Sequence, residues 1–397
     1  MGSTERISNV AKRVAKWHRA GHQMVVVPSA MSGETNRLLG LAKELAPSLM
    51  SEAYHRELDM LASTGEQASS ALLAIALQAI GIESISYAGW QVAIKTNSAF
   101  TKARIESIED QKVLSDLNQG RVVIITGFQG VDEHGNITTL GRGGSDTSAV
   151  AVAAALKAKE CLIYTDVDGV YTADPRIIPD AKKIQEISYD EMLEMAALGS
   201  KVMQARSVEF AKKFNVVFEV RSSFNNNPGT IVKTETSKME DVVIRGVAVD
   251  KKQAKVTIAG VPDKPGIAAK VFKTIADANI NIEVIVQNVS ANGTTDISFT
   301  VGDTDAAKSV KVLQPVVKGI GAREVTATGE IAKLSVVGIG MRSHPGVAAK
   351  MFETLADNGI NIGMISTSEI KISVIIALAD AEKAARAVHA AFGLSGK

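Results

Sequence analysis

Between Thr138 and Ala149 the chain reads T-T-L-G-R-G-G-S-D-T-S-A, with glycines at 141, 143 and 144, a guanidinium at Arg142, a hydroxyl at Ser145 and a carboxylate at Asp146. An Ala/Val/Leu run follows. This is the pattern of a helix N-terminus built for an anion. Gly143 and Gly144 allow close backbone approach, Ser145 or Asp146 can cap the helix, and the free amides and dipole favour phosphate or carboxylate. A second polar stretch, Thr165-Asp166-Val167-Asp168-Gly169-Val170-Tyr171, continues to Asp174-Pro175-Arg176 and is too polar to cross a core. It reads either as part of a ligand crevice or as a connector rich in turn-forming Asp-Gly and Asp-Pro pairs.

The elements that must position these groups alternate. Thr4 to Ala20 places Ile7, Val10, Val14 and Trp17 on one helical face and stops at Gly21. Met24 to Val27 is a short strand that breaks into a loop through Ser29 and opens a helix past Thr35. Helices are predicted over Glu52 to Ala62 and, after Ser63-Thr64-Gly65, over Glu66 to Ile80, followed by strands at Ile82 to Tyr87, Arg104 to Ile108, Val122 to Thr126, Leu162 to Thr165 and Val216 to Val220. Strands alternating with helices predict an α/β fold, a largely parallel sheet with helices on both faces. Ligands of such sheets sit beyond the carboxyl ends of the strands, and that rule gathers Ser29, Thr35, Phe128 and the Thr165 to Arg176 stretch into one crevice.

A length of 397 residues predicts two or three domains. Net charge is +1, from 44 basic and 43 acidic residues without long single-sign blocks, which argues against nucleic acid and membrane-surface partners. The single cysteine, Cys161, lies in an apolar run and is expected in the core; with no partner for a disulfide, it fits a reducing cytoplasm. Six histidines with no cysteine partner are not expected to make a metal site, and no apolar run is long enough to span a bilayer.

Thr234 to Asp241 reads as a linker, beyond which the chain repeats itself. Pro265 to Ile285 (P-G-I-A-A-K-V-F-K-T-I-A-D-A-N-I-N-I-E-V-I) recurs as Pro345 to Ile365 (P-G-V-A-A-K-M-F-E-T-L-A-D-N-G-I-N-I-G-M-I). Two copies are too few for a solenoid and predict paired domains. Each reads β-α-β-β-α, ferredoxin-like, with Arg323 to Ala327 and Val242 to Val249 available to complete the pattern.

On these residues the sequence resembles the aspartate kinases. V-V-V-P-S-A-M-S-G-E-T-N, S-T-G-E, T-L-G-R-G-G-S-D-T-S-A, Y-T-D-V-D-G-V-Y-T-A-D-P-R and G-S-K-V match motifs of the amino-acid kinase fold in order, and the repeats resemble tandem ACT domains. The resemblance implies an amino-acid-kinase domain over 1–234, a linker at 235–244, and ferredoxin-like βαββαβ ACT domains at 245–325 and 326–397. It implies L-aspartate against Thr35, Glu66, Phe128, Arg142, Ser145 and Asp146, and ATP with Mg²⁺ against Ser29, Thr165, Asp166, Tyr171, Arg176 and Lys201. Catalytic work would fall to Arg142, Asp146 and Lys201. The implied reaction is phosphorylation of the aspartate β-carboxylate, the first step toward lysine, threonine and methionine, in a cytoplasmic homo-oligomer joined through its ACT domains.

One motif has no counterpart. Family members open with a strand carrying K-[FY]-G-G-T-S, whereas this chain opens Met1-Gly2-Ser3-Thr4, where the matching positions begin just past that strand. The expectation is a misplaced start; the rival reading is a catalytically silent, amino-acid-sensing subunit. In the first repeat, Asp263-Lys264-Pro265-Gly266 opens a helix able to hold an amino-acid carboxylate, while Asn281-Ile282, Gln287, Ser290, Thr294 and Thr295 offer further polar groups for a zwitterion. The resemblance names lysine and threonine as effectors.

Overall fold

The computed structural model describes residues 1–46, 52–197, 202–234, 244–288 and 293–396. Contacts divide the chain into two units, residues 1–168 with 202–234 and residues 169–201 with 235–397. Lys201, Ser290 and all but residue 244 of the linker lie outside the described residues.

The first unit is layered about Val122–Ile125, whose four residues are fully buried. This strand pairs in parallel with Val25–Val26 on one side and Ser84–Tyr87 on the other. Its alternation sorts the core. Val122 and Ile124 face Ile7, Ala11 and Val14 of helix Thr4–Arg19 and Leu73 and Leu77 of helix His55–Gln78, while Val123 and Ile125 face Ile94, Val113, Leu117 and Val152. Leu162–Thr165 pairs in parallel with Phe218–Ser222, and that strand in turn runs antiparallel to Thr230–Lys233.

The predicted break at Ser63-Thr64-Gly65 does not occur: His55–Gln78 is one helix of 24 residues. Ser63 and Thr64 satisfy their hydroxyls within it by donating to the carbonyls of Met60 and Leu61. Gly65 serves close packing rather than termination, since a Cβ there would lie 3.0 Å from Cβ of Ala30. Glu66 is therefore an interior helix residue and not a cap.

In the second unit the repeats form one six-stranded sheet. The 17-residue strand Gly246–Pro262 and the 14-residue strand Glu324–Val337 run antiparallel at its centre. Residues 253–262 pair with Thr294–Gly302 and belong to the first module; residues 331–337 pair with Lys371–Ala377 and belong to the second. The fourth strand of the second module is supplied by residues 246–250, ahead of the first module in sequence. The first module is completed by its own last strand, residues 324–328, which pair with residues 255–259. Helices Ile267–Asp277 and Val347–Asp357, the cores of the two repeats, bury Val271 and Ile275, and Met351 and Leu355.

Candidate active site

In the first unit, the predicted substrate-side residues come from helix His55–Gln78, which carries Glu66, and from three segments drawn together by close contacts. Helix Gly144–Ala155 is capped by Gly143 in the left-handed region, at φ 68°. A Cβ on Gly143 would overlap the Gln204 side chain, so both its conformation and its surroundings require glycine. Ser145 and Asp146 occupy the first turn, half-buried, and Arg142 precedes them, exposed.

Gly127 lies against this turn: a Cβ on it would stand 2.7 Å from Ser145 Oγ and 3.0 Å from the Pro28 carbonyl. The Gly127 N–H donates to that same carbonyl at 3.2 Å. Phe128 follows with φ 70°, an uncommon conformation for a residue with a side chain. It is held there by its N–H donating to Ser148 Oγ at 3.1 Å and its carbonyl accepting from Leu140 N–H at 2.8 Å.

The third segment is the loop after Val25–Val26. Exposed Ser29 accepts on its carbonyl from Ser69 Oγ at 2.8 Å, and Ala30 N–H donates to Glu66 Oε1 at 3.1 Å. Glu66 is buried, and burial pushes its carboxyl up to about 7. Asp146 is likewise pushed up by burial, to about 6. Thr35 stands in the first turn of helix Glu34–Leu45, whose Glu34 approaches Gly65.

The nucleotide-side candidates divide between the units. Thr165 ends its strand and donates from Oγ1 to Asp166 Oδ1 at 3.1 Å. Tyr171 and Arg176 belong to the second unit, where Arg176 forks onto Asp174 at 3.0 and 2.7 Å.

In the first ACT-like module, Asp263, Lys264, Pro265, Gly266 and Gln287 line a cavity of about 290 Å³. Thr294 and Thr295 sit on the neighbouring strand, opposite Pro262 and Val261. Asn281 is exposed, and Ile282 packs on the module's core.

Sequence reasoning missed the supports: Ala30, Ser69 and Ser148, and Gln129, which is fully buried and donates from Nε2 to the Ser63 carbonyl. A signal existed for part of this. Ser63, Glu66, Ser69 and Ser70 form a polar stripe at helical spacing, yet all are buried.

The Gly-capped helix turn packed against strand-end loops of an α/β sheet is consistent with an amino-acid kinase, and the profile of the Amino acid kinase family matches residues 1–221. The ACT domain profile matches residues 256–315 and 334–392. An aspartate kinase of Pseudomonas fluorescens is 56% identical over 395 residues, covering 99% of this chain and 95% of its own length. An aspartokinase of Corynebacterium glutamicum is 48% identical over 400 residues, covering 100% and 94%. The solved structure of E. coli aspartokinase III in complex with aspartate and ADP, in its R-state, superimposes with a TM-score of 0.78 at 26% identity, covering 98% of this chain and 96% of that one. The chain belongs to the aspartate kinases.

Proposed function

We propose that this chain transfers the terminal phosphoryl group of ATP to the β-carboxylate of L-aspartate, giving 4-phospho-L-aspartate. The observation that carries the reading is identity of 56% to an aspartate kinase across 99% of the chain. The silent sensing subunit is not favoured by a likeness that runs through the kinase stretch as well as the repeats.

Arg142 is read as the fork for the substrate α-carboxylate, a bidentate task that lysine does less well. Glu66 and Asp146 face the α-ammonium, with Thr35, Phe128 and Ser145 shaping the cradle. The β-carboxylate, ionised at neutral pH, attacks without a general base. Catalysis is then in-line positioning together with positive charge on the transferring group. Ser29, Thr165, Asp166, Tyr171, Arg176 and Lys201 are assigned to the nucleotide, with Lys201 supplying charge. Mg²⁺ comes to such sites on nucleotide phosphates with one or two carboxylates, where it neutralises developing charge. Among the described residues no group of three or more His, Cys, Asp or Glu side chains is gathered to hold a metal unaided.

In sequence order, 1–234 is read as catalytic, 235–244 as connecting, and 245–325 and 326–397 as ACT modules, with 246–250 serving the second. Lysine or threonine, bound at Asp263 to Gly266 with Asn281, Ile282, Gln287, Ser290, Thr294 and Thr295, is the expected effector, in a homo-oligomer. Among the described residues no helix is long and apolar enough to cross a membrane; a cytoplasmic location is proposed on the likeness to aspartate kinases. A hydroxylamine trap of aspartyl phosphate with Mg·ATP tests the activity. Aspartyl hydroxamate must form with aspartate and not with glutamate; absence of product with both sinks the reading.

A further inference from the structure

The loop bearing Tyr171 and Arg176 is a hairpin held at its stem by the second unit. Tyr171 bridges Lys183, Thr172 N–H donates to the Lys182 carbonyl at 2.9 Å, and Ile184 N–H donates to Val170 at 2.8 Å. Thr172 is buried at the centre of this stem. Its hydroxyl has one proton and two acceptor sites, and all three are engaged. It donates to the Leu394 carbonyl at 3.1 Å and accepts from Lys182 N–H at 2.9 Å. With the hydroxyl proton on the Leu394 carbonyl, His389 Nε2, 2.9 Å away, is assigned as the second donor, the tautomer protonated at Nε2. The clasp continues on either side: Val247 N–H donates to the Thr172 carbonyl, Ala181 bridges Ser395, Gly396 N–H donates to the Asp180 carbonyl, and Arg386 Nε donates to the Ile177 carbonyl at 3.0 Å. Ala173 and Ile178 are buried in the same core as Leu334, Val336 and Val388 of the second ACT module.

We propose that Thr172, gripped by His389 and by the stretch Leu394–Gly396, is a positioning residue for nucleotide binding. It holds the Tyr171–Arg176 loop in its binding conformation and makes that loop a structural part of the second ACT module. The inference rests on the assignment of Tyr171 and Arg176 to the nucleotide. It also gives effector-driven change in the module a direct mechanical route to nucleotide affinity.

Isothermal titration of the full chain with Mg·ADP, and separately with L-aspartate, tests it without requiring turnover. Thr172→Val, which leaves the Lys182 and His389 donors without an acceptor, is expected to weaken Mg·ADP binding about tenfold while aspartate affinity stays within about twofold. Thr172→Ser restores binding, and a chain ended at Gly393 shows the same selective loss as Thr172→Val. The shortened chain decides the matter if Thr172→Val does not fold. Unchanged Mg·ADP affinity in both variants, or equal loss of both ligands, overturns the proposal. Arg176→Ala separates the two layers: if it binds Mg·ADP like the parent, the nucleotide assignment fails and the proposal with it. If Arg176→Ala weakens binding and neither Thr172→Val nor the shortened chain does, the clasp alone is refuted.

Discussion

Ala30 N–H donates to Glu66 Oε1 across 3.1 Å, while Glu66 Oε2, also within the buried side chain, has no hydrogen-bond partner among the described residues. One oxygen anchors the loop and the other is left for a donor that the chain does not supply. A substrate ammonium is such a donor. Burial outweighs the Ala30 hydrogen bond and raises the Glu66 carboxyl to about 7. On the proposed assignment of Glu66 to the substrate ammonium, aspartate affinity should climb with pH through about 7, as the carboxylate forms. Titrating aspartate binding from pH 6 to 8 checks this, and Glu66→Gln should flatten the profile.

The same shift makes a stability prediction of opposite sense. The unfolded chain ionises Glu66 near its ordinary value of 4.5, so between there and about 7 the folded state holds the extra proton. This contribution is fully present below about 4.5 and is lost as pH rises through about 7. Its size is on the order of 3 kcal/mol for a shift of this magnitude in a buried group. Glu66→Gln keeps the acceptor for Ala30 and carries no charge. Its melting temperature should match the parent below pH 4.5 and exceed it by several degrees at pH 8, even as its aspartate binding weakens on the proposed assignment. Parallel melting curves at both pH values decide the point.

Gly127→Ala should disable the site with modest loss of stability. The new methyl would stand 2.8 Å from Ser145 Cβ and 3.0 Å from the Pro28 carbonyl, neither of which can yield without moving the helix turn or the loop. A displacement of that size in a positioning site costs about a hundredfold in rate. Steady-state kinetics beside a melting curve would expose a loss that is merely unfolding.

The helix behind Arg142 was legible because glycine at 143 and small residues behind it admit little else, and the helix begins at Gly144. The single helix through Gly65 was not, because Ser-Thr-Gly is also a turn signal and only the approach of Ala30 distinguishes packing from termination. The repeat was plain in the residues, and the strand before it was available to complete a module. Its assignment to the second module depends on pairing such as Gly246↔Val337, a long-range fact with no local signature. Likewise, no spacing within Thr165 to Arg176 reveals that the stretch passes from one unit to the other after Asp168.

Cys161 should be inert in the native protein. It is buried, and its thiol is pushed up to about 12, first by desolvation and then by the nearby Asp146 charge. Thiolate is the reactive form, so iodoacetamide at pH 8 should leave the folded chain unmodified by intact mass and label it once in denaturant. Native labelling at a comparable rate would place Cys161 outside the core.

The cavity lined by Asp263, Lys264, Gly266 and Gln287 sits where helix Ile267–Asp277 begins. The helix start favours a carboxylate and Asp263 can meet an ammonium, the two ends of a free amino acid. At about 290 Å³ it is of a size to admit one amino acid rather than a nucleotide. Asp263→Ala should therefore raise the concentration of lysine or threonine needed for half-inhibition about tenfold, the cost of one charge-assisted hydrogen bond. The second repeat keeps Pro345-Gly346 but carries Arg342-Ser343-His344 before them, so it offers no carboxylate at the position of Asp263. His344→Ala should consequently shift inhibition by less than Asp263→Ala. Dose–response curves for both effectors on both variants test the asymmetry; a larger shift for His344→Ala would move the effector to the second module.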